Sequence, residues 1–445
     1  MRVIIVGAGQ VGSSIAADLD GTHEVVVIDC DPERTQELTY SLDVLAVQGD
    51  GTAVSTLEEA GIEQADMVIA STDDDETNIV VCATTKAVCD AFTIARVKNT
   101  EYLRTWQRAE TAFGVDFMVC TNLLAAESIV RVIGLPAARD VDPFADGRVQ
   151  MAEFEIDEGS PVADQTVREA DRFDSLTFAA ILRNGSVEIP SGETVINPGD
   201  RVVVIGSPKS VQSFARSVAP SESVGTAEEV VVVGGSEIGY QVARLLEEQE
   251  FTPRVVERDG VRARELAEAL PDSFVMESDA TDMGFLERQH VGDADVLVAA
   301  LDSDEKNLLV SLLAKRLGVE RTVAVIDTTE YVELFEAVGV DVGVSPREVV
   351  AEEITRFTRE GGAENVALIE SDKAEVLEIE VDGDSVLSGR AIRESVPALP
   401  TGVVIGAITR GGEFIHPRGD TVIEPGDHVV VFVDAKVVDQ VTASL

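Results

Sequence analysis

Positive charge is scarce in this sequence of 445 residues. Lysine and arginine number 35 against 82 aspartates and glutamates, which gives a formal net charge of −47, and only seven of the basic residues are lysine. Nucleic acid is a poor partner for such a chain, because phosphates are bound by basic patches. A dispersed acidic surface also repels itself, and concentrated salt, with a Debye length of about 3 Å, screens that repulsion. We therefore expect a protein of an extreme halophile, with an unusually acidic mesophilic protein as the alternative.

Long apolar runs and paired cysteines are missing as well. No stretch approaches the roughly 18 continuous apolar residues that a membrane-spanning helix needs. A strand begins as early as Val3, so no signal peptide is expected. The cysteines form no CxxC pair and have apolar neighbours, which predicts buried free thiols rather than a metal site or disulfides at Cys30, Cys82, Cys89 and Cys120.

The apolar content is ample for several packed cores, and the first 120 residues alternate strand-like and helix-like sequence. Strands that alternate with helices predict a parallel sheet with helices on both faces. The segment Thr121 to Gly134 then reads as one long helix with an apolar stripe. The candidate strands are RVIIV at Arg2, EVVVID at Glu24, VLAVQ at Val44, MVIAS at Met67 and TIARV at Thr93.

The composition changes after Pro136, where turn signals recur every few residues. Asn184-Gly185 is typical of a hairpin turn. Pro198-Gly199-Asp200 predicts a turn that leads into an apolar strand. The sequence therefore predicts a small second domain of several short strands.

The chain then repeats itself. The segment VVVGGSEIG at Val231 resembles IIVGAGQVG at Ile4, 227 positions earlier, and DDDETN, which ends at Asn78, returns as DSDEKN, which ends at Asn307. A period this long indicates a tandem duplication of a two-domain unit rather than a solenoid. The predicted fold class is α/β, with two Rossmann-like doubly wound parallel-sheet domains, each followed by a helix and a small α+β domain. The predicted bounds are 1–120, 121–138 and 139–223 for the first unit and 224–345, 346–363 and 364–445 for the second.

A glycine-rich turn in the first unit predicts a nucleotide site. Gly7, Gly9 and Gly12 form a GxGxxG pattern after a strand and at the start of a helix, whose free N–H groups favour phosphate. Asp29 ends the next strand, where a carboxylate accepts hydrogen bonds from ribose hydroxyls and repels a 2′-phosphate. NAD(H) is therefore favoured over NADP(H). The alternative is a glycine turn kept only for packing.

Further candidates follow the later strands, at the sheet edge where ligands of such folds bind. Arg96 is the most informative, because a guanidinium at a strand end can form a fork on a phosphate. The alternative for Arg96 is a surface ion pair on a very acidic protein. The other candidates of this kind are Asp50, Gly51, Thr72 and Asp73.

No catalytic constellation is visible. The chain has only four histidines, none of them placed for hydride chemistry, and it lacks GxSxG, HExxH and P-loop lysine patterns. Two classes of function remain open. One is a nucleotide-sensing regulatory protein, and the other is an NAD-dependent oxidoreductase whose catalytic group is not recognisable.

These repeated motifs resemble those of the regulatory subunits of Trk-type potassium-uptake systems, over essentially the whole chain. That family has an RCK (or KTN) nucleotide-binding domain and an RCK C-terminal domain, each present twice. The resemblance implies a peripheral cytoplasmic protein, not an enzyme, that docks on the inner face of the membrane against a potassium-translocating integral membrane subunit. It also implies control by NAD(H), with ATP or ADP as further effectors, and a homo-oligomer, dimer or tetramer, that forms a gating ring.

The resemblance assigns nucleotide contacts in both units. In the second unit Ser236 replaces the glycine that faces the pyrophosphate, and Val325 stands where the first unit has Arg96, so that cleft is expected to be weaker, different in ligand or empty. In the first unit the resemblance assigns Gly7, Ala8, Gly9, Gln10, Val11, Asp29, Thr72, Asp73 and Arg96, to which the glycine motif and the strand ends add Gly12, Asp50 and Gly51. In the second unit it assigns Gly234, Gly235, Ser236, Glu237, Ile238, Glu257, Asp279 and Leu301.

Overall fold

The computed structural model describes residues 1–109, 112–135, 138–183, 186–218, 229–359, 365–369, 373–383 and 385–442. The chain divides into two compact units, each assembled from two separate stretches. One unit contains Met1–Val130 and Glu229–Thr355, and the other contains Arg131–Glu228 and Arg356–Leu445. The two Rossmann-like domains therefore share the first unit, and the two small domains share the second. Among the described residues, no helix has both the length and the apolar character needed to cross a bilayer.

The first Rossmann-like domain contains a parallel six-stranded sheet in the order β3-β2-β1-β4-β5-β6. Its strands are β1 to β6, at Arg2–Val6, Glu24–Asp29, Leu45–Gln48, Met67–Ala70, Phe92–Val97 and Phe117–Cys120. Its helices are α1 to α5, at Gln10–Leu19, Pro32–Ser41, Val54–Glu59, Asp75–Val88 and Thr100–Arg108, and α6 follows at Thr121–Gly134. The central strands are continuous apolar runs because helices cover both faces of the sheet. The strand order reverses between β1 and β4, and this is where open α/β sheets bind ligands.

The first small domain contains an antiparallel five-stranded sheet in the order β10-β9-β11-β8-β7. Its strands are β7 to β11, at Ala138–Phe144, Val149–Glu155, Leu176–Arg183, Ser186–Glu188 and Arg201–Gly206, and its helices are α7 at Val167–Ala170 and α8 at Pro208–Val218. Arg183 holds the turn before β11 through a two-pronged ion pair with the buried Asp200, at 2.6 and 2.7 Å. The predicted turn at Asn184-Gly185 lies outside the described residues, although the strands on either side of it pair.

The second Rossmann-like domain repeats the first, with strand order β14-β13-β12-β15-β16-β17. Its strands are β12 to β17, at Val230–Val233, Arg254–Glu257, Phe274–Glu277, Val296–Ala299, Arg321–Val325 and Val342–Val344. Its helices are α9 to α13, at Glu237–Glu248, Gly260–Ala269, Met283–Arg288, Asp304–Leu317 and Val332–Ala337, and α14 follows at Pro346–Arg359.

The second small domain has the strand order β18-β19-β24-β21-β22, with β20 and β23 in a separate pair. Its strands are β18 to β24, at Asn365–Ile369, Ala374–Glu380, Arg390–Ala391, Val403–Arg410, Glu413–Ile415, Val422–Ile423 and His428–Asp434, and its helices are α15 at Ile392–Ser395 and α16 at Val438–Thr442. The Arg183–Asp200 pair recurs as Arg410–Asp427, at 2.7 and 2.8 Å. One apolar cluster contains residues of both small domains, including Phe144 and Phe432, so the two sheets share a core. Short 3-10 turns complete the chain at Ile62–Gln64, Ala112–Gly114, Val291–Asp293, Thr329–Tyr331, Val396–Ala398 and Ala435–Val437.

Three carboxylates lie together on one face of β7 and β8. Asp140 pairs in register with Glu153, and Asp142 lies two residues further along β7. Burial, followed by the negative charges of Asp142 and Glu153, raises the pKa of Asp140 to about 7. Three arginines balance part of this charge: Arg131, whose positive charge acts on Asp140, Arg201 at 3.0 Å from Glu153 and Arg356 at 3.5 Å from Asp142.

The α/β fold class with two Rossmann-like domains is confirmed, and β1, β2 and α6 have the bounds that the sequence predicts. The prediction of buried thiols is wrong for Cys30. Cys82 and Cys120 are buried and Cys89 is half-buried, whereas Cys30 is exposed because it follows β2 at the open carboxyl edge of the sheet.

Candidate nucleotide sites

The glycine turn after β1 places the start of α1 against the sheet. Gly7 has φ +108°, and a Cβ there would lie 2.9 Å from the backbone nitrogen of Thr72. A Cβ on Gly12 would lie 1.8 Å from the carbonyl oxygen of Gly7. These two glycines are therefore required by close packing. The nearest atom to a Cβ on Gly9 would be Nη1 of Arg34 at 3.8 Å, so the space in front of Gly9 is open.

The start of α1 has no side-chain cap. Gly9 is its N-cap residue and provides no side-chain hydrogen bond. The first N–H groups of a helix have no partner within that helix, and together with the helix dipole they attract anions. An open space before an uncapped helix is the arrangement that accommodates a phosphate.

Asp29 holds the glycine turn in place. Its Oδ2 accepts a 2.6 Å hydrogen bond from the backbone N–H of Ala8, and its Oδ1 accepts one of 2.8 Å from Asp31. A carboxylate oxygen has capacity for more than one hydrogen bond. Asp29 can thus position the turn and still accept hydrogen bonds from ribose hydroxyls.

Arg96 is buried at the carboxyl end of β5, with only 3% of its surface exposed. Its Nη1 lies 3.4 Å from Oδ1 of Asp73 and from the carbonyl oxygens of Ser71 and Thr72, and its Nε donates to Oγ1 of Thr121 at 3.1 Å. Burial lowers the pKa of Arg96, and Asp73 partly offsets this effect. A guanidinium this buried is not a surface ion pair. The carboxylate of Asp73 lies 3.4 Å away and is mostly exposed, so it balances the charge of Arg96 only weakly. An anion in the cleft would complete that balance.

Asn78 fixes the edge of the sheet that carries these residues. It is fully buried, its Oδ1 accepts from the N–H of Thr72 at 2.9 Å, and its Nδ2 donates to the carbonyl oxygen of Arg96 at 2.8 Å. Asn307 makes the same two bonds in the second domain, to Leu301 and Val325, both at 2.8 Å. Asn78 therefore has a structural role. This role explains why an asparagine recurs at the same position of the second domain, without any contact to a ligand.

The structure brings most of the predicted residues together around a cavity of about 110 Å³. An adjoining groove of about 670 Å³ extends along α1 and α2. Three arginines and two aspartates face the small cavity, so its balance of charged side chains is positive in a chain that is otherwise strongly acidic. The cavity is lined by Gly7, Gly9, Gln10, Val11, Asp29, Arg34, Ser71, Thr72, Asp73, Arg96 and Arg347.

Four predicted residues lie outside this lining. Ala8 faces the adjoining groove, and Gly12 is packed beneath the turn. Asp50 caps its own turn, because its Oδ1 accepts from the N–H and the hydroxyl of Thr52 at 2.9 and 2.7 Å. A Cβ on Gly51 would meet Val6 at 2.3 Å, which indicates a packing role.

Sequence reasoning missed three lining residues, Arg34, Ser71 and Arg347. Arg34 could have been found, because it lies in the first turn of α2, five positions after Asp29. Arg347 could not, because it lies in α14 of the second domain, 251 positions after Arg96.

The second cleft keeps the carboxylate and loses the open helix end. Oε2 of Glu257 accepts from the N–H of Gly235 at 2.7 Å, as Asp29 does from Ala8. Ser236 differs from Gly9, because its hydroxyl donates to the carbonyl oxygen of Ala300 at 2.7 Å and accepts from the N–H of Gly239 at 3.2 Å. The helix start that would face a phosphate is thus capped by the chain itself.

The other residues of the second cleft make contacts within the protein or lack the charge found in the first cleft. Val325 supplies no charge where Arg96 stands in the first cleft, and Asp279 caps its own turn through Thr281, at 2.7 Å to the hydroxyl. Oε1 of Glu237 accepts from Gln241 at 2.8 Å and from Thr100 at 3.3 Å. Gly234, with φ +105°, is required by the turn, and Ile238 is half-buried in the first turn of α9. The two clefts share a scaffold, but the helix start is uncapped in the first and capped by Ser236 in the second.

Comparison with known proteins identifies each of the four domains. Residues 3–120 and 230–346 match the TrkA-N domain, and residues 151–219 and 376–445 match the TrkA-C domain. The chain is 35% identical to the Trk system potassium uptake protein TrkA homolog 1 of Methanosarcina mazei, over 99% of each chain. It is 36% identical to the TrkA homolog of Archaeoglobus fulgidus, over 97% of each chain. The fold is similar to that of the GsuK channel bound to NAD, with a TM-score of 0.61 and 21% identity, over 100% of this chain and 79% of that one.

Proposed function

The chain belongs to the TrkA family, with two TrkA-N and two TrkA-C domains, and from this we propose that it is a regulatory subunit of a potassium-uptake system. In this role it binds NAD(H), or ATP or ADP, and controls a potassium-translocating integral membrane subunit. It acts as a peripheral cytoplasmic protein and assembles as a homo-oligomer, dimer or tetramer, that forms a gating ring. The relatives named as potassium uptake proteins and the similarity to a channel bound to NAD support this proposal.

The observation that carries the proposal is the positive first cleft. Arg96 is buried beside an uncapped helix start, and Asp29 holds the turn between them. This arrangement matches a nucleotide, with ribose at Asp29 and phosphate between α1 and Arg96. Besides Gly7, Gly9, Asp29 and Arg96, the proposed contacts are Gln10, Val11, Thr72 and Asp73.

We infer that the protein is a switch rather than a catalyst. A ligand shifts a conformational equilibrium only by its difference in affinity for the two states. Couplings of this kind are typically about 1–3 kcal/mol, or roughly 5–150-fold. Arg96 supplies part of that difference, because its contact with phosphate draws β5 and the glycine turn onto the nucleotide.

We propose that the second cleft binds nucleotide more weakly than the first, or not at all. Its scaffold residues, Gly234, Gly235 and Glu257, resemble those of the first cleft, but Ser236 and Val325 remove the two features that favour phosphate. The second domain therefore responds less strongly to nucleotide than the first.

Potassium flux through the reconstituted membrane subunit tests the proposal, with nucleotide added on the cytoplasmic side. Arg96→Ala should flatten the nucleotide response while the complex stays assembled. The matched control is Arg104→Ala, which removes an exposed arginine of the same domain that pairs with Glu101 on its own helix. If potassium flux in Arg96→Ala still responded to nucleotide as it does in the wild type, the sensor role of Arg96 would be refuted. If the wild-type protein oxidised NADH with a small substrate, an oxidoreductase would be favoured instead.

A further inference from the structure

The first cleft is completed by a residue of the other nucleotide-binding domain. Arg347 lies in the first turn of α14, three residues after the last strand of the second domain ends, yet it lines the cavity of the first domain. Its Nη1 donates to Oε1 of Gln10, in the first turn of α1, and its Nη2 donates to Oδ2 of Asp327 at 2.9 Å. The guanidinium thus connects the glycine turn of one domain to a carboxylate of the other.

This contact has no counterpart at the second cleft. When the last strands of the two sheets are aligned through Val119 and Val344, Arg347 corresponds to Asn122. Asn122 instead donates to the carbonyl oxygen of Lys98 at 2.8 Å, within its own domain. The second half of the chain therefore contributes an arginine to the first cleft, whereas the corresponding residue of the first half, Asn122, bonds within its own domain.

The position of Arg347 adds a third positive group to a small space. Arg34, Arg96 and Arg347 come from three different elements and line the same cavity of about 110 Å³. A guanidinium forms paired hydrogen bonds with phosphate oxygens, and such charge-assisted bonds are stronger than neutral ones. Arg34 lies beside Gly9, and Arg96 lies beside Ser71 and Thr72 in the same cavity, so the pyrophosphate common to all candidate nucleotides has partners without Arg347.

We propose that Arg347 binds the terminal phosphate of a nucleoside di- or triphosphate in the first cleft, and that this contact favours ADP and ATP over NAD(H). This inference rests on the function proposed above. A terminal phosphate carries more negative charge than the internal pyrophosphate of NAD(H), which is esterified on both sides. The same charge can displace Asp327 as the partner of Arg347, and the nucleotide would then bridge the two domains.

Binding titrations on the full-length protein in concentrated potassium chloride test this, with ATP and NADH as the two probes. Arg347→Asn installs the residue found at the corresponding position of the first domain. It should weaken ATP binding about tenfold or more, the effect of one lost hydrogen bond to a charged group. NADH affinity should stay within about twofold, and the exposed Arg104→Asn should leave both affinities unchanged. Unchanged ATP affinity in Arg347→Asn, or an equal loss for ATP and NADH, would overturn the selectivity.

Asp327→Asn provides a second test that does not depend on the stability of the first variant. It removes the carboxylate that competes for Arg347, so ATP should bind several-fold more tightly with little change for NADH. Unaltered ATP affinity would contradict the proposal. A wild-type protein that bound neither probe would remove the nucleotide function and this inference together, whereas NADH binding without ATP binding would remove only this inference.

Discussion

Oδ2 of Asp29 accepts a 2.6 Å hydrogen bond from the backbone N–H of Ala8. The carboxylate expected to bind the ribose therefore also fixes the turn that faces the phosphates. Glu257 has the same relationship to Gly235 in the second domain, so the bond belongs to the scaffold of both halves. Loss of this carboxylate should affect every nucleotide, and loss of its charge should affect mainly the choice between NADH and NADPH.

The first prediction separates these two effects at Asp29. Asp29→Ala should weaken NADH binding about tenfold or more, because a hydrogen bond to a charged group contributes roughly 1.5–3 kcal/mol. Asp29→Asn keeps an oxygen for the N–H of Ala8 and removes the charge that repels a 2′-phosphate. It should narrow the preference for NADH over NADPH with a smaller loss of affinity. Titration calorimetry measures the affinities for NADH and NADPH. If the preference for NADH stayed at the wild-type value in both variants, Asp29 would not be the residue that binds the ribose.

The second prediction concerns the open helix start in the first cleft. Gly9→Ser should fold, since the nearest atom to the new Cβ is 3.8 Å away. Its hydroxyl should cap α1 as Ser236 caps α9, and nucleotide affinity should fall about tenfold, because the N–H groups that favour phosphate gain an internal partner.

Two variants serve as controls for this change. Gly9→Ala adds a methyl group without a hydroxyl and should have the smaller effect. Ser236→Gly should cost a few tenths of a kcal/mol in the free energy of unfolding, as a serine-to-glycine change at an N-cap does, and should leave the first cleft unchanged. Full affinity in Gly9→Ser would show that the phosphate does not lie at this helix end.

A third prediction follows from the net charge of −47. Dialysis into dilute buffer should lower the melting temperature sharply, because unscreened repulsion among the carboxylates destabilises the compact state. Added potassium chloride should raise the melting temperature again, because the salt screens the repulsion among the carboxylates. Thermal unfolding followed by circular dichroism over a series of salt concentrations gives the answer. A melting temperature independent of salt would remove the expectation of a halophilic origin.

The fourth prediction concerns the pH dependence of stability at Asp140. Its folded pKa of about 7 lies above the unfolded value of about 3.9. The folded state therefore holds the proton longer, and stability falls as pH rises from about 4 to 7, with the full cost present above pH 7. Asp140→Asn removes this cost and should raise the free energy of unfolding by about 1–3 kcal/mol at pH 8.

Melting curves at several pH values check this prediction. The gain from Asp140→Asn should shrink towards pH 5, where the wild-type carboxyl is still protonated in the folded state. Asp146→Asn is the control, since Asp146 is largely exposed on the turn after β7 and its change should be small at every pH. A gain that stayed constant with pH would show that Asp140 is ionised throughout.

Much of the fold could be predicted because its signals are local. A continuous apolar run such as RVIIV, a glycine turn and a capped helix start are each encoded within a few residues, and their repetition revealed the duplication. The pairing of the two nucleotide-binding domains in one unit was not predicted. It arises from packing between surfaces far apart in the chain.

The same limit applies to the first cleft. Gly9, Asp29 and Arg96 were identified because each lies at a fixed position relative to a strand end, and the structure places them around one cavity. Asp50 was selected by the same rule, yet its carboxylate is used by Thr52. The rule finds the sheet edge but does not distinguish a side chain that faces a ligand from one that caps its own turn. Arg347 has no local signal at all.

The separation of the two nucleotide-binding domains along one polypeptide has an evolutionary consequence. In a dimer of identical chains each substitution appears at both symmetry-related sites, so neither site can specialise without the other. Here Arg347 and Asn122 occupy related places but are encoded separately, and a mutation of one leaves the other intact. The tandem repeat thus supplies two positions on which selection acts independently, and a substitution in one domain can add a residue to the cleft of its neighbour without changing the other cleft.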